Sequence, residues 1–597
     1  MKLNKYSAIV FASILLNTGC TKDFLNRTPK TNVTDQTFFK TPEDLKTYTN
    51  GFYTMIEATY QDLYSDNIGG FTGSNTNNNM LRGNLSQDNI GGWTSDWAAI
   101  RRINHMLDNM KSVTGDQADI KHYEGIARFF RAYNYINLVK SYHNVPWYDH
   151  VLSPESEDLY KAQDTREFVV NKIMEDLEFA SKNIKASAKK DQINKWVALN
   201  LLSRFSLYEG TFRKYHDEVN LKGSANEFLQ KSIDASQEIM EKGGFQIYNT
   251  NAKELDFRAL FTSTNLSSNP EMLFIQKNDR ALGISNNTHT VLDWQWALSG
   301  QLMEEFLMAD GTPFTDQQNY QSHTFHDVFK DRDVRLAETI MPANFKTNPS
   351  NPKAYLPRPN FGGYLQVKFY PRDPNLRAGW GANFTDLPIM RYAEVLLNYA
   401  EAKAELGQLT QVDIDKTINK LRTRVGLPGL DLAKYNSLVD PFLQKRYPNV
   451  QSSQKSLVLE VRRERRTELA CEGFRFDDLM RWKVGELLAD KSRGMYVEKL
   501  GALDVNNDGE FEMAILKDPK DLSPIKNLSE SEQKALTKFY LSEGSFYLSN
   551  GESGYVMLGQ DKKLPKKFIS PKYYYKPIPR GQLVLNPKLK QVFNWDE

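Results

Sequence analysis

Cysteine is almost missing from this 597-residue chain, which has only Cys20 and Cys471. Two residues cannot build a disulfide framework, and no cysteine cluster offers a metal-binding set. The eight histidines are scattered, with no ligand pair on one helix face. An excess of charge is missing too, since 76 Lys and Arg face 74 Asp and Glu. So neutral a chain has no global field to draw in nucleic acid or an acidic membrane. Long apolar runs are missing beyond Ala8–Leu16, nine residues long, where a membrane helix needs roughly 20. No G-x-S-x-G, H-E-x-x-H or P-loop pattern occurs.

What is present begins with an export signal. Lys2 and Lys5 precede the short apolar run, and Gly19-Cys20 follows it. This predicts a signal peptide over 1–19 and a lipidated Cys20. The usual aliphatic residue three places before the cysteine is Asn17 here, with Leu16 one place early. Removing Lys2 and Lys5 takes the 76 bases to 74, equal to the acids. Residues 20–40 read as a tether, so the lipid alone would hold the protein at a membrane.

Helical periodicity starts near Thr41, with Pro42 in the first turn and Glu43-Asp44 behind it. It returns around Trp97–Leu107 and over Tyr123–Tyr142, Thr165–Ile184, Ile193–Glu209 and Phe228–Lys242, the last closed by Gly243-Gly244. Further helices are predicted over Leu387–Gly407, Val412–Val425, Ser456–Cys471 and Phe474–Leu488. Their lengths suit helical pairs of tetratricopeptide size, without a strict 34-residue array. Residues 65–93, rich in Gly, Asn and Ser, read as a long functional loop. Residues 245–385 and 491–570 lack sustained periodicity, although Met272–Gln276 fits a short strand. The expected fold is mainly α. Tetratricopeptide-like helical pairs (41–64, 94–244, 387–490) support a loop-rich lobe (65–93, 245–386, 491–570) with a few short strands. Residues 41–597 form one unit on this reading.

Several motifs stand in series. They run from Cys20 with Asp23-Phe24-Leu25, through Phe129-Phe130-Arg131-Ala132-Tyr133 and Val145-Pro146, to Leu387-Pro388-Ile389-Met390-Arg391-Tyr392-Ala393-Glu394. Asn398-Tyr399-Ala400-Glu401-Ala402 follows, then Arg463-Glu464-Arg465-Arg466-Thr467-Glu468-Leu469-Ala470 with Leu479-Met480-Arg481-Trp482, and last Tyr575-Lys576-Pro577-Ile578-Pro579. Together they resemble the SusD/RagB family of surface lipoproteins. The resemblance implies a tetratricopeptide-like scaffold and a place on the outer membrane facing the cell exterior. It also implies a partner, a SusC-like TonB-dependent transporter, and an oligosaccharide ligand, with a peptide as the alternative. The arginine-rich run around 462–466 carries Glu460, Glu464, Glu468 and Glu472 at four-residue spacing, which suits an ion-paired helix rather than a nucleic-acid site.

A sugar site needs flat aromatic rings and convergent polar side chains on exposed loops. The candidates are Arg82, Asn78, Asn89 and Trp93 in the first loop, and Trp294, Trp296, Tyr364 and Trp380 in mid-chain. Trp93 either meets ligand or pins a helix start. Trp294 and Trp296, two apart, would face one side of a strand, either ligand or core. Glu304, Glu305, Asp310, Asp331 and Asp333 supply the carboxylates a glycoside hydrolase would need, in no recognisable catalytic context. A protein-interaction scaffold without sugar binding is a third class. No cofactor is required. Asp504, Asn506 and Asp508 have the spacing that opens a calcium loop, but Ile515 holds the place of the closing Glu, and a plain Asn-Asp-Gly turn is the alternative.

Overall fold

The computed structural model describes residues 38–71, 73, 75–435 and 438–596. Cys20, the signal segment and most of the tether lie outside them. Helix α1 (Pro42–Asn50) starts where Thr41 and Asp44 exchange capping contacts, the Thr41 amide donating to Asp44 Oδ2 at 2.7 Å. Helices α2 (Trp93–Asn109), α3 (Gln117–Tyr142), α4 (Arg166–Asn183), α5 (Lys195–Tyr215) and α6 (Ala225–Lys242) follow. Asp116, Thr165 and Asn194 cap α3, α4 and α5 through their side-chain oxygens. Gly244, at φ 71°, supplies the left-handed turn after α6.

From α2 onward each helix packs on the next, α1 packs on α3, and α7 (Tyr392–Glu405) closes on α5 and α6. Gly210 allows α5 and α6 to approach closely, since a Cβ there would lie 2.9 Å from Leu229 Cγ. The buried faces form one core from Phe39 to Leu397, with Phe129, Phe130, Ile173 and Leu396 all excluded from water. A second core fills the lobe, from Ile68 through Phe306, Tyr364 and Val497. The tetratricopeptide-like reading therefore holds.

Local details differ from the periodicity. Leu387–Arg391 is strand β4, antiparallel to β2 (Met272–Gln276), and the helix starts only at Tyr392. Pro388 disfavours helix, and the apolar strand β2 offers a pairing edge. The helix expected over Val412–Val425 breaks at Thr417, leaving α8 (Ile418–Val425). Helix α9 (Lys455–Glu468) stops before Cys471, which is buried with φ 65°. Helix α10 (Arg475–Arg481) is shorter than expected. The 491–570 stretch is more ordered than its sequence suggests. Strands β5 (Arg493–Val497), β10 (Gly554–Leu558) and β9 (Phe546–Leu548) form one sheet. Strands β6 (Gly501–Leu503), β7 (Met513–Leu516) and β8 (Thr537–Tyr540) form another. The lobe also holds β1 (Ile68–Phe71) paired with β3 (Trp296–Leu298).

Helix α9 joins the two cores. Glu468 accepts from Arg335, Arg391 and Arg424 at 2.9, 2.6 and 2.5 Å. Glu464 accepts from Arg335 and Arg422 at 2.6 and 3.0 Å. On other faces, Arg466 donates to Glu305 and Asn67, Arg465 to Asp478 and Asn398, and Arg462 to Glu405. All these side chains are buried. The ion-paired helix was expected, but its partners come mainly from other elements rather than from its own next turn.

Burial alone would lift the Glu468 carboxyl; Arg424, Arg391 and Arg335 overcome it and hold it well below the usual range. Glu401 on α7 is likewise buried, yet Arg481 and Arg465 bring it to about 2. Removing the Glu468 charge leaves three buried guanidinium groups short of a partner. Glu468→Gln should lower unfolding free energy by about 3–5 kcal/mol, read by urea or thermal denaturation. A carboxylate depressed in the folded state contributes stability above its unfolded pKa of about 4.3 and loses it as pH falls through the folded value. Glu401 should thus contribute acid sensitivity between about pH 4.3 and pH 2, and Glu401→Gln should flatten that part of the stability profile.

Candidate functional site

Two loops of the lobe build an exposed aromatic surface. Residues 279–294 and 379–386 are joined by asparagines. The Asn286 amide donates to the Asn383 carbonyl at 2.9 Å, and the Asn286 side chain to the Thr385 carbonyl at 2.8 Å. The Gly381 amide donates to Asn287 Oδ1 at 2.7 Å, and Asn383 donates to the Thr288 hydroxyl. Beneath them the buried Asp386 accepts the Leu266 and Asn278 amides, both at 2.9 Å. Side-chain amides thus do the work that a regular sheet would do elsewhere.

On this frame stand Trp294, 53% exposed, and Trp380, 71% exposed. Their ring centroids lie 5.8 Å apart with planes tilted by 49°. His289 meets the edge of Trp380 at 6.2 Å, and burial pushes its imidazole pKa below the usual range. Asp293, at φ 63°, turns the chain just before Trp294 and is itself held by Tyr355 at 2.8 Å and Arg358 at 2.6 Å. Two uncovered indole faces with polar groups at their edge can stack on apolar ring faces and bond hydroxyls.

The other predicted residues have different places. Trp296 is buried in β3, its Nε1 donating to Gln366 at 2.9 Å. It does not share a side with Trp294, because the strand begins only at Trp296, after the Asp293 turn. Tyr364 is buried against Phe325. Arg82 pairs with Asp561 at 2.6 Å, both side chains nearly covered, and so ties the first loop to the far end of the lobe. Asn89 bonds within its own loop, accepting from Ser86 and donating to the Asn84 carbonyl. Asn78 sits half-buried in the short helix Thr76–Leu81, its amide capped by Asn75. None of these joins the Trp294–Trp380 surface.

Trp93 is buried at the start of α2, in edge contact with Trp97 and Tyr142 at 5.5 and 4.9 Å. It borders an apolar groove of about 430 Å³ with Trp97, Tyr148, Tyr160 and Leu585. Trp97 meets Trp93 and Tyr148 edge to face, while Tyr160 is exposed.

Four of the five carboxylates considered for hydrolysis are committed elsewhere, while Asp331 is exposed and its side chain has no partner among the described residues. Glu304 pairs with Arg493 at 2.6 Å, Glu305 with Arg466 at 2.5 Å and Asp333 with Arg335 at 2.8 Å. Asp310 holds the Thr312 hydroxyl at 2.6 Å. In the Asp504 turn, oxygens of Asp504, Asp508 and Glu512 lie within 4.8 Å of one another and could hold a small cation. The same oxygens also close the turn, Asp504 accepting the Asp508 and Gly509 amides and Glu512 the Val505 amide. Glu512 stands at the ninth position from Asp504, three places before the twelfth position at which calcium-loop spacing puts the closing acid. Asn506 bonds Asp508 instead of standing apart as a ligand.

Comparison with known proteins follows this architecture. Two SusD-like proteins of Formosa agariphila, P2 and P38, are each 23% identical over 81% of this chain and 92% of their own length. A SusD-like protein of Bacteroides fragilis superposes with TM-score 0.64 at 19% identity, covering 95% of this chain and all of its own. A SusD-like carbohydrate binding protein from the same species gives TM-score 0.65 at 21% identity, covering 93% and 100%. Residues 23–207 match a family described as starch-binding associating with outer membrane, and no described helix is long and apolar enough to cross a membrane. Residues 275–595, more than half of the sequence and including both loops of the aromatic surface, match the SusD family, to which this chain belongs.

Proposed function

We propose that the protein is a surface lipoprotein that captures an oligosaccharide on Trp294 and Trp380 and passes it to a SusC-like TonB-dependent transporter. The exposed, tilted indole pair carries this reading. Leaving two indoles in water forgoes the burial that rewards aromatic side chains in a core, at about 25 cal/mol per Å². A ring-shaped ligand recovers part of that area when it binds. Family membership supports nutrient binding, and the commitment of Glu304, Glu305 and Asp333 to arginines supports capture without bond cleavage. The N-terminal pattern ending at Cys20 supports a lipid anchor, on an outer membrane whose exterior the lobe would face.

Isothermal titration against a panel of oligosaccharides tests the platform. An aromatic stack is worth about 0.5–1.5 kcal/mol, so Trp294→Ala and Trp380→Ala should each weaken binding by up to about tenfold at unchanged thermal midpoint. Trp296→Ala should instead destabilise the fold by about 3–5 kcal/mol, because it empties a core site and leaves Gln366 Oε1 without its donor. Binding of peptides but not sugars would favour the peptide alternative. Release of reducing ends would overturn the capture reading in favour of a hydrolase. Co-purification of a TonB-dependent transporter from native membranes tests the partner.

A further inference from the structure

The chain is neutral as a whole, but the ground around the indole pair is not. Residues 277–294 and 346–386 contain eight bases, of which Arg358, Lys368 and Arg372 pair with Asp293, Glu472 and Glu338, and four acids. Those acids are all engaged: Asp293 with Arg358, Asp386 with two buried amides, Asp279 and Asp373 with the amides of their own turns. Several of the bases are not neutralised. Arg377, three residues before Trp380, donates to the Tyr370 hydroxyl and the Thr347 carbonyl, each at 2.6 Å, and meets no carboxylate among the described residues. Arg280 is exposed, and its side chain makes no hydrogen bond or ion pair among the described residues. It lies over Phe384, its guanidinium carbon 4.8 Å from the ring centroid.

That stacking matters. A guanidinium resting on an aromatic face keeps its N–H edge free, and that edge fits a planar or tetrahedral oxyanion bidentately. Phe384 belongs to the same loop as Trp380, and Arg280 to the same loop as Trp294, so the bonds between Asn286 and Asn383 and between Gly381 and Asn287 tie together the two loops that carry the cation and the stacking rings. A neutral sugar would leave Arg280 to water. An acidic one uses both features.

We propose, on the basis of the glycan reading above, that this surface selects acidic sugars, those bearing a carboxylate or a sulfate ester, with Arg280 as the partner of the anion and Trp294 and Trp380 as the stacking faces.

The test is titration of the full chain with three oligosaccharides of equal length: a galacturonate, a sulfated galactan and a neutral galactan. One acidic probe should bind roughly tenfold more tightly than the neutral one, and rising salt should weaken it selectively. Arg280→Gln should bring that probe down to the affinity of the neutral galactan at an unchanged thermal midpoint. The two acidic arms distinguish carboxylate from sulfate. Equal or tighter binding of the neutral galactan, or a preference that survives Arg280→Gln, overturns the acidic selection. If the neutral galactan is held as tightly as the acidic probes and Trp380→Ala weakens that binding, the platform stands while acidic selection falls. If bound probes are unaffected by both Trp294→Ala and Trp380→Ala, the platform reading falls with it.

Discussion

Helix α9 is where the protein is held together. Its glutamates reach Arg335 in the lobe and Arg391 at the end of β4, and its arginines reach Glu405, Asn398 and Asp478 in the scaffold. Each of these charges had to leave water, and a single buried pair often fails to recover that cost. A network changes the balance, because one carboxylate such as Glu468 satisfies three cations and each partner is satisfied again elsewhere. The network also constrains geometry. Hydrophobic contact would let the lobe slide over the scaffold, but bidentate arginine pairs tolerate little displacement. We regard α9 as the element that sets how the two cores meet.

The placement of the aromatic surface follows. Its loops have little sheet structure of their own, and they hang from β2 and β4 through Asp386, Asn278 and Asn286. Strand β4 runs into α7 through Arg391, which is bound to Glu468 and Glu472. One chain of hydrogen-bonded groups therefore runs from the centre of the molecule to the exposed indoles. This route needs no cofactor and little regular structure, only amides and guanidinium groups fixed by their partners. It positions a ligand surface on loops without making those loops soft.

Helix starts were legible in the sequence because their signals are local. Thr41 with Asp44, Thr165 and the Gly243-Gly244 stop act over a few residues and appear where expected. The strands were less legible. Strand β4 hides inside a motif that continues as a helix, and β5 to β10 are too short to show a period of two. The α9 charges were read as ion-paired, but four-residue spacing among glutamates said nothing of Arg335, Arg391, Arg422 and Arg424, which arrive from far along the chain. Trp294 and Trp296 show the same limit at a site. Alternation held only for a strand, and a single left-handed residue, Asp293, lies between the turn and that strand. Trp380 and Trp294, 86 positions apart in numbering, meet only through the asparagine bonds between their loops.

Charge shows most clearly why composition and function part here. The sequence counts nearly equal acids and bases, which rules out a long-range field. It does not say where the cancellation happens. Much of it happens in the interior, where Arg166, Arg391, Arg424, Arg466 and Arg481 meet carboxylates with both partners covered. Those pairs are closed to any ligand. What a ligand meets is the remainder, and around the indole pair that remainder is basic, because the local acids serve turns and buried amides while Arg280 and Arg377 have no carboxylate. A neutral protein can therefore present a locally cationic binding surface without a global field. In that case electrostatics acts at contact distance, as a choice among ligands already stacked on the rings, and contributes little to the rate at which they arrive.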